Sequence, residues 1–216
     1  WRTCSCSKFS SSVFYNYTRS LYIVVHKMKI YFDGCAKTKG VFIKPNWHKR
    51  YSTLLCDKLG AEEYNIARPG SSNRRLVRNL LEHDLSNYDM FVIQMCKRER
   101  FEICDKESGE WSNVCTNVFS PHVGLEKDYV SLQKKHFRFY FEEIYCDEMG
   151  DIDEKICFAA MKSILQNKKH AIIYMGPYYC NVPVDVTYIK GKNHKIKKFN
   201  EEVYEKICND IIGHLQ

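Results

Sequence analysis

The run Lys29-Ile30-Tyr31-Phe32-Asp33-Gly34-Cys35-Ala36 decides the fold of this chain. Its first four residues, β-branched or aromatic at Ile30, Tyr31 and Phe32, predict a short strand, and Asp33-Gly34-Cys35 turns the chain out of it. A polar loop follows. From Arg50 to Leu59 the residues Tyr51, Leu54, Leu55 and Leu59 recur at helical spacing, and Gly60 stands where a left-handed C-cap belongs.

Working outward, the strand-loop-helix unit repeats. Glu63 to Ala67 reads as a second strand closed by Arg68-Pro69-Gly70, after which Ser71 or Ser72 caps a helix with Leu76, Val77, Leu80 and Leu81 on one face. Met90 to Met95 is the most continuously apolar run, as a central parallel strand covered on both faces requires. The stretch 101–124 is irregular, with Gly109 as a turn signal and Trp111 as a large anchor, and reads as a surface insertion. A helix from about Lys127 to Cys146 follows. A second, with Asp151 as N-cap, runs through Ile152, Ile156, Ala159, Ala160 and Ile164 into a strand at Ala171 to Tyr174, ended by Gly176-Pro177. Asn200 caps a closing helix with a Val203, Ile207, Ile211, Ile212 stripe. Such alternation predicts an α/β fold: a three-layer, flavodoxin-like sandwich around a mainly parallel sheet. Ligands in these sheets bind beyond the carboxyl ends of the strands, so chemistry is expected after Phe32, Ala67, Met95 and Tyr174.

Composition narrows the classes. Hydrophobic content of 44% and charged content of 27% match soluble globular proteins, and no apolar run is long enough to span a bilayer. Eleven cysteines form no Cys-x-x-Cys pair, and the count is odd, so they are expected as reduced thiols of a cytoplasmic protein rather than a disulfide framework. No metal and no cofactor are expected. Residues 1–27 hold four of the 33 basic residues and no acidic one, which lowers the net charge from +7 to +3 for the remainder. That balance disfavours nucleic acid as a partner. The same segment lacks a sustained apolar period and is read as a leader or extension, with a short strand at Leu21 to Val25 as the alternative, leaving one domain over 28–216.

Three segments carry a resemblance. The opening run through Ala36, then Tyr64-Asn65-Ile66-Ala67-Arg68-Pro69-Gly70-Ser71-Ser72-Asn73-Arg74, then Tyr88-Asp89-Met90-Phe91-Val92-Ile93-Gln94, resemble the SGNH (GDSL-like) ester hydrolases, in the form common in phages and large DNA viruses. Those proteins commonly read Gly-Cys-Ser where this chain reads Gly34-Cys35-Ala36, and their serine is the nucleophile. The resemblance therefore implies an esterase or acetylesterase scaffold with alanine at the nucleophile position. It also implies Gly70 as a backbone oxyanion donor, with Asn73 as the best-placed amide, although better-known members take their Asn from the loop after the third strand. Their Asp-x-x-His, in which the carboxylate orients the catalytic imidazole, corresponds to Asp185-Val186-Thr187-Tyr188, with Tyr188 at the histidine position. His194, six residues on, is a substitute base or a solvated histidine.

With serine and histidine both replaced, the leading expectation is a degenerate enzyme that binds a small ester, acyl or carbohydrate ligand. The alternatives stay open: a weak hydrolase using Cys35, Ser71 or Ser72, or a basic interaction protein binding nucleic acid or a virion partner through the lysines between Lys190 and Lys198. Cys35 reads as a nucleophile or as a buried structural thiol, and Ser71 and Ser72 as anion-binding or as capping residues. Arg74, Arg75 and Arg78, with Lys97, Arg98 and Arg100, read as a converging anion site or as solvated surface cations. Oligomeric state has no signature in the sequence.

Overall fold

A computed structural model of the protein describes residues 27–43, 45–114, 139–176, 182–189 and 201–216. Strands β1 (Lys29–Asp33), β2 (Glu62–Asn65), β3 (Met90–Met95), β6 (Lys169–Gly176) and β7 (Val186–Ile189) form one sheet in the order β2-β1-β3-β6-β7. Every neighbouring pair is parallel. This is the flavodoxin-like order, with the reversal of strand order beside β1 and β3, where such sheets carry their ligands.

Side-chain alternation builds two cores. Ile30, Phe32, Met90, Val92, Ala171 and Ile173 face one side, where α2 (Tyr51–Leu59) and α5 (Glu201–Leu215) supply Tyr51, Leu55, Tyr204 and Ile207. Tyr31, Phe91, Ile93 and Ile172 face the other, against Leu76 and Leu80 of α3 (Asn73–Glu82) and Cys157 and Met161 of α4 (Asp147–Ile164). All six residues of β3 are buried, as its unbroken apolar run required. The capping signals act as read: Gly60 adopts φ 62°, and Ser72 Oγ accepts from Arg75 N at 3.2 Å.

Several expectations are corrected. The stretch 101–114 is an antiparallel hairpin, β4 (Phe101–Cys104) and β5 (Trp111–Val114), closed where Asp105 Oδ1 accepts from Glu107 N and Ser108 N and Gly109 adopts φ 71°. Helix α4 begins at Asp147, four residues before the expected cap, because Asp147 and Glu148 suit a helix N-terminus and Asp151 instead pairs with Arg98. Its buried stripe is Gly150, Glu154, Cys157 and Met161, while Ile152 and Ile156 are exposed. Gly150 lies on the buried side, where Tyr145 packs against it. Leu81 is likewise exposed.

The helix expected up to Cys146 ends in a π-helical turn, Tyr140–Ile144, and Cys146 is extended. Asp185 to Tyr188, read as a loop, leads into and forms part of the edge strand β7. Residues 1–26, the earlier part of the Lys127 helix, the Lys190 to Lys198 run and Asn200 lie outside the described residues.

Candidate functional site

The loops after β1, β2 and β3 are tied to one another at the carboxyl rim of the sheet. Gly34 O accepts from Arg68 N at 3.2 Å, joining the first loop to the second. Asn73 joins the second to the third: its Nδ2 donates to Cys96 O at 3.3 Å and its Oδ1 accepts from Cys96 N at 2.7 Å. Gln94, buried within β3, joins the third to the first. Its Oε1 accepts from Thr38 Oγ1 at 2.6 Å, Thr38 N at 3.2 Å and Cys35 N at 3.4 Å, and its Nε2 reaches Cys35 Sγ at 3.0 Å. Gly34 has to be glycine here, because a Cβ would stand 2.6 Å from both Gln94 Cβ and Thr38 Oγ1 at a φ of 155°.

Ala36 opens the short helix α1 (Ala36–Lys39), directly above this junction. Gly70 adopts φ 77° in the second loop, and its N–H has no protein acceptor among the described residues. The head of the closing helix lies at the same rim, since Tyr204 Oη donates to Lys37 O at 2.9 Å and Glu201 pairs with Lys49 at 2.7 Å. The turn after β1, the glycine loop and the start of α5 therefore share a rim.

A buried ion pair fixes the glycine loop from beneath. Arg75 Nη1 donates to Asp33 Oδ1 at 2.8 Å and to Ser71 Oγ at 2.9 Å, and its Nη2 donates to Ile66 O at 2.8 Å. Asn79 Nδ2 takes the other Asp33 oxygen at 2.7 Å. Burial pushes the Asp33 carboxyl up, against the pull of Arg75, Asn79 and Gly34 N.

The serines and the arginine cluster take structural roles. Ser71 and Ser72 are fully buried, one bonded to Arg75 and the other capping α3, so neither hydroxyl is presented as a nucleophile. The expected cation cluster is gathered only in part: Arg74, Arg98 and Arg100 line one cavity of about 320 Å³, and carboxylates partner most of its members. Arg74 pairs with Asp153 at 2.7 Å, Arg75 with Asp33, and Arg78 with Glu102 at 3.0 Å and Glu82 at 2.8 Å. Lys97 pairs with Glu99, and Arg98 with Asp147 and Asp151.

Cys35, next to Ala36, is buried. Contact with the Cys96 thiol holds Cys35 well below the usual thiol range, burial opposes the fall, and Lys37 and Arg100 add to it. Cys96 is pushed up by burial and by Cys35. Burial brings the Lys37 ammonium down to about 8, while its Nζ donates to Met175 O.

Asp185 is held by other partners. Asp185 Oδ1 pairs with Lys162 at 3.0 Å and lies 3.8 Å from His214, both near the far ends of their helices, and its Oδ2 accepts from Ile172 N at 2.6 Å. These partners satisfy both carboxylate oxygens away from the first loop, so Asp185 is not positioned to orient a base beside Ala36. Tyr188 stands opposite Met175 in the β6–β7 register, which puts its backbone beside the carbonyl that Lys37 reaches. His194 lies outside the described residues.

Sequence reasoning missed Gln94, Asp33, Arg75 and Asn79 as the frame of the site. Gln94 was the legible one, the single polar residue within the apolar run of β3. Among the described residues no three His, Cys, Asp or Glu side chains converge as metal ligands, and no helix is long and apolar enough to cross a membrane.

Fold and site together define a class: a doubly wound, parallel α/β protein whose polar site is built from the first three carboxyl-end loops. No family model and no curated protein matches the chain. Among solved structures it is similar to a protein assigned to the G-D-S-L lipolytic family from Desulfitobacterium hafniense, at 10% identity and a TM-score of 0.46, over 88% of this chain and 100% of that one. It is similar to a carbohydrate esterase whose active site displays divergent catalytic and non-catalytic binding functions, at 14% identity and a TM-score of 0.49, over 88% and 68%. A third is an acetyl xylan esterase from Geobacillus stearothermophilus, at 15% identity and a TM-score of 0.37, over 87% and 73%.

Proposed function

We propose that this chain is an SGNH-type esterase homologue that no longer cleaves its ligand and instead holds a small acyl or carbohydrate compound at the rim above β1, β2 and β3. The observation that carries the reading is the contrast at α1. The three loops are hydrogen-bonded into a fixed frame and the Gly70 N–H is left available, yet the residue at the head of the helix is Ala36. A methyl group forms no acyl-enzyme, and loss of a triad member leaves only a residual ~10³ to 10⁴-fold rate over water.

The test is hydrolysis of p-nitrophenyl acetate. The unmodified chain should show no turnover above a heat-denatured control, and Ala36→Ser combined with Tyr188→His should gain measurable turnover. Sustained turnover by the unmodified chain overturns the reading.

The lowered thiol of Cys35 favours one competing route, a thiol-based hydrolase. Its Sγ faces Gln94 and Cys96 within the junction, so burial weighs against it. Turnover in the unmodified chain that disappears in Cys35→Ser would establish that route.

A further inference from the structure

We propose that the groove outside the glycine loop, beyond the carboxyl end of β2, binds a phosphate monoester carried on a ring, with the dianion at Lys39 and Arg68 and the ring against Trp111. The groove has a volume of about 860 Å³ and is walled by Lys39 of α1, the Ile66–Pro69 loop, the α3 side chains Arg78 and His83, and Glu110 and Trp111 of the hairpin. That volume lies within the roughly 300 to 1,000 Å³ typical of small-ligand sites.

Charge accounting selects the anion. Arg75 and Arg78, which also line the groove, are each matched to a carboxylate. Lys39 and Arg68 are the exceptions in the groove wall: among the described residues neither has a carboxylate partner. Two unneutralised cations, one a planar fork and one a compact point charge, suit a group that carries about −1.5 to −2 at neutral pH and offers several acceptor oxygens.

Trp111 supplies the second element. It is 45% exposed, yet it is held in place, because the Arg78 guanidinium carbon lies 4.7 Å from the indole centroid and Arg78 is itself fixed by two bonds of 3.0 Å to Glu102. A large aromatic surface that is already ordered loses little freedom when a ring stacks on it. Glu110, beside the indole, repels the anion toward Lys39 and Arg68 and can accept from a ring hydroxyl or amino group. The groove adjoins the candidate site through α1 and the Arg68 loop, but the inference does not depend on loss of hydrolysis.

The test is calorimetric titration of the full chain with adenosine monophosphate and glucose 6-phosphate, against adenosine, glucose and inorganic phosphate. At least one phosphorylated probe should bind ten times more tightly than its unphosphorylated counterpart, and more weakly as salt is raised. Binding of the nucleotide alone identifies a nucleotide ligand, whereas binding of the sugar phosphate shows that a phosphorylated sugar suffices. Lys39→Ala with Arg68→Ala should weaken the phosphorylated probe at least tenfold, and Trp111→Leu should weaken it without changing inorganic phosphate. Absence of binding by either probe at millimolar concentration, equal affinity for the neutral counterpart, or full affinity in the double variant overturns the proposal.

Discussion

Replacing Arg75 by leucine tests whether the buried ion pair holds the glycine loop in place. Arg75 and Asp33 are almost wholly buried, with side chains 5% and 0% exposed, and Arg75→Leu removes three hydrogen bonds at once, to Asp33, Ser71 and Ile66. Breaking a buried pair by deleting one partner costs about 3–5 kcal/mol, because the remaining charge is left uncompensated. For a chain of this size that corresponds to a fall in Tm of roughly 6 to 20 °C. The pH dependence has a definite sign. Burial already raises the Asp33 carboxyl, and loss of the Arg75 charge raises it further. An acid raised in the folded state contributes its full stability below its unfolded pKa and loses it as pH climbs through the folded value. The deficit against the unmodified protein should therefore widen from pH 4 to pH 7 in urea denaturation. Asp33→Asn added to Arg75→Leu removes the charge, keeps an oxygen on Gly34 N and bonds Asn79 once that amide turns to present its oxygen, and should recover most of the loss while flattening the pH dependence. A deficit under ~1 kcal/mol, or one that narrows as pH rises, refutes the reasoning.

Other perturbations address the remaining ties. Asn73→Ala removes both bonds to the Cys96 backbone and should cost about 2 kcal/mol, with loss of hydrogen-exchange protection at the Cys96 amide. Gly34→Ala places a Cβ against Gln94 and Thr38 and should destabilise by more than ~2 kcal/mol, or prevent folding, in the same denaturation assay. Lys37, lowered to about 8, is protonated more readily in the unfolded chain between that pH and its ordinary value, so its contribution makes stability rise with pH through that window. Lys37→Met should abolish that share of the rise when urea midpoints at pH 7.5 and 9.5 are compared.

What was legible in the sequence was what short-range pattern controls. The continuous apolar run of β3, the Ser72 cap and the Gly60 terminator each depend on a few adjacent residues, and each stands where the sequence placed it. The rotation of α4 was hidden because Ile152 and Ile156 match a helical stripe as well as Cys157 and Met161 do. Packing of Cys157 and Met161 against α3 and the sheet, which the sequence does not display, selects between them. The site was legible in its first two loops and not in its frame. Asp33 looked like a turn residue and Arg75 like a solvated cation, and their pairing spans 42 positions in sequence. Asp185 shows the converse failure: its spacing to Tyr188 matched a motif, while its partners Lys162 and Ile172 come from elements that the motif does not include.

How much turnover the reactivated variant can reach follows from the donors that remain. A tetrahedral intermediate needs fixed N–H groups at its oxyanion, and removing one such donor costs about 10²- to 10³-fold in kcat. Gly70 N–H is available, but the Asn73 amide is spent on the Cys96 backbone: one proton donates to Cys96 O and its oxygen accepts from Cys96 N, which fixes the direction in which the group points. A histidine placed at Tyr188 would also lack its orienting carboxylate, since both oxygens of Asp185 are taken by Lys162 and Ile172 N. Restoring serine and imidazole therefore supplies a nucleophile and a base within an incomplete electrostatic setting. Ala36→Ser with Tyr188→His should turn over slowly, and adding Lys162→Met, which removes one Asp185 partner, should change that rate little because Ile172 N and His214 still hold the carboxylate. A large gain from the third substitution would mean that Asp185 reaches the rim after all, and that the dyad lost its histidine but kept its acid.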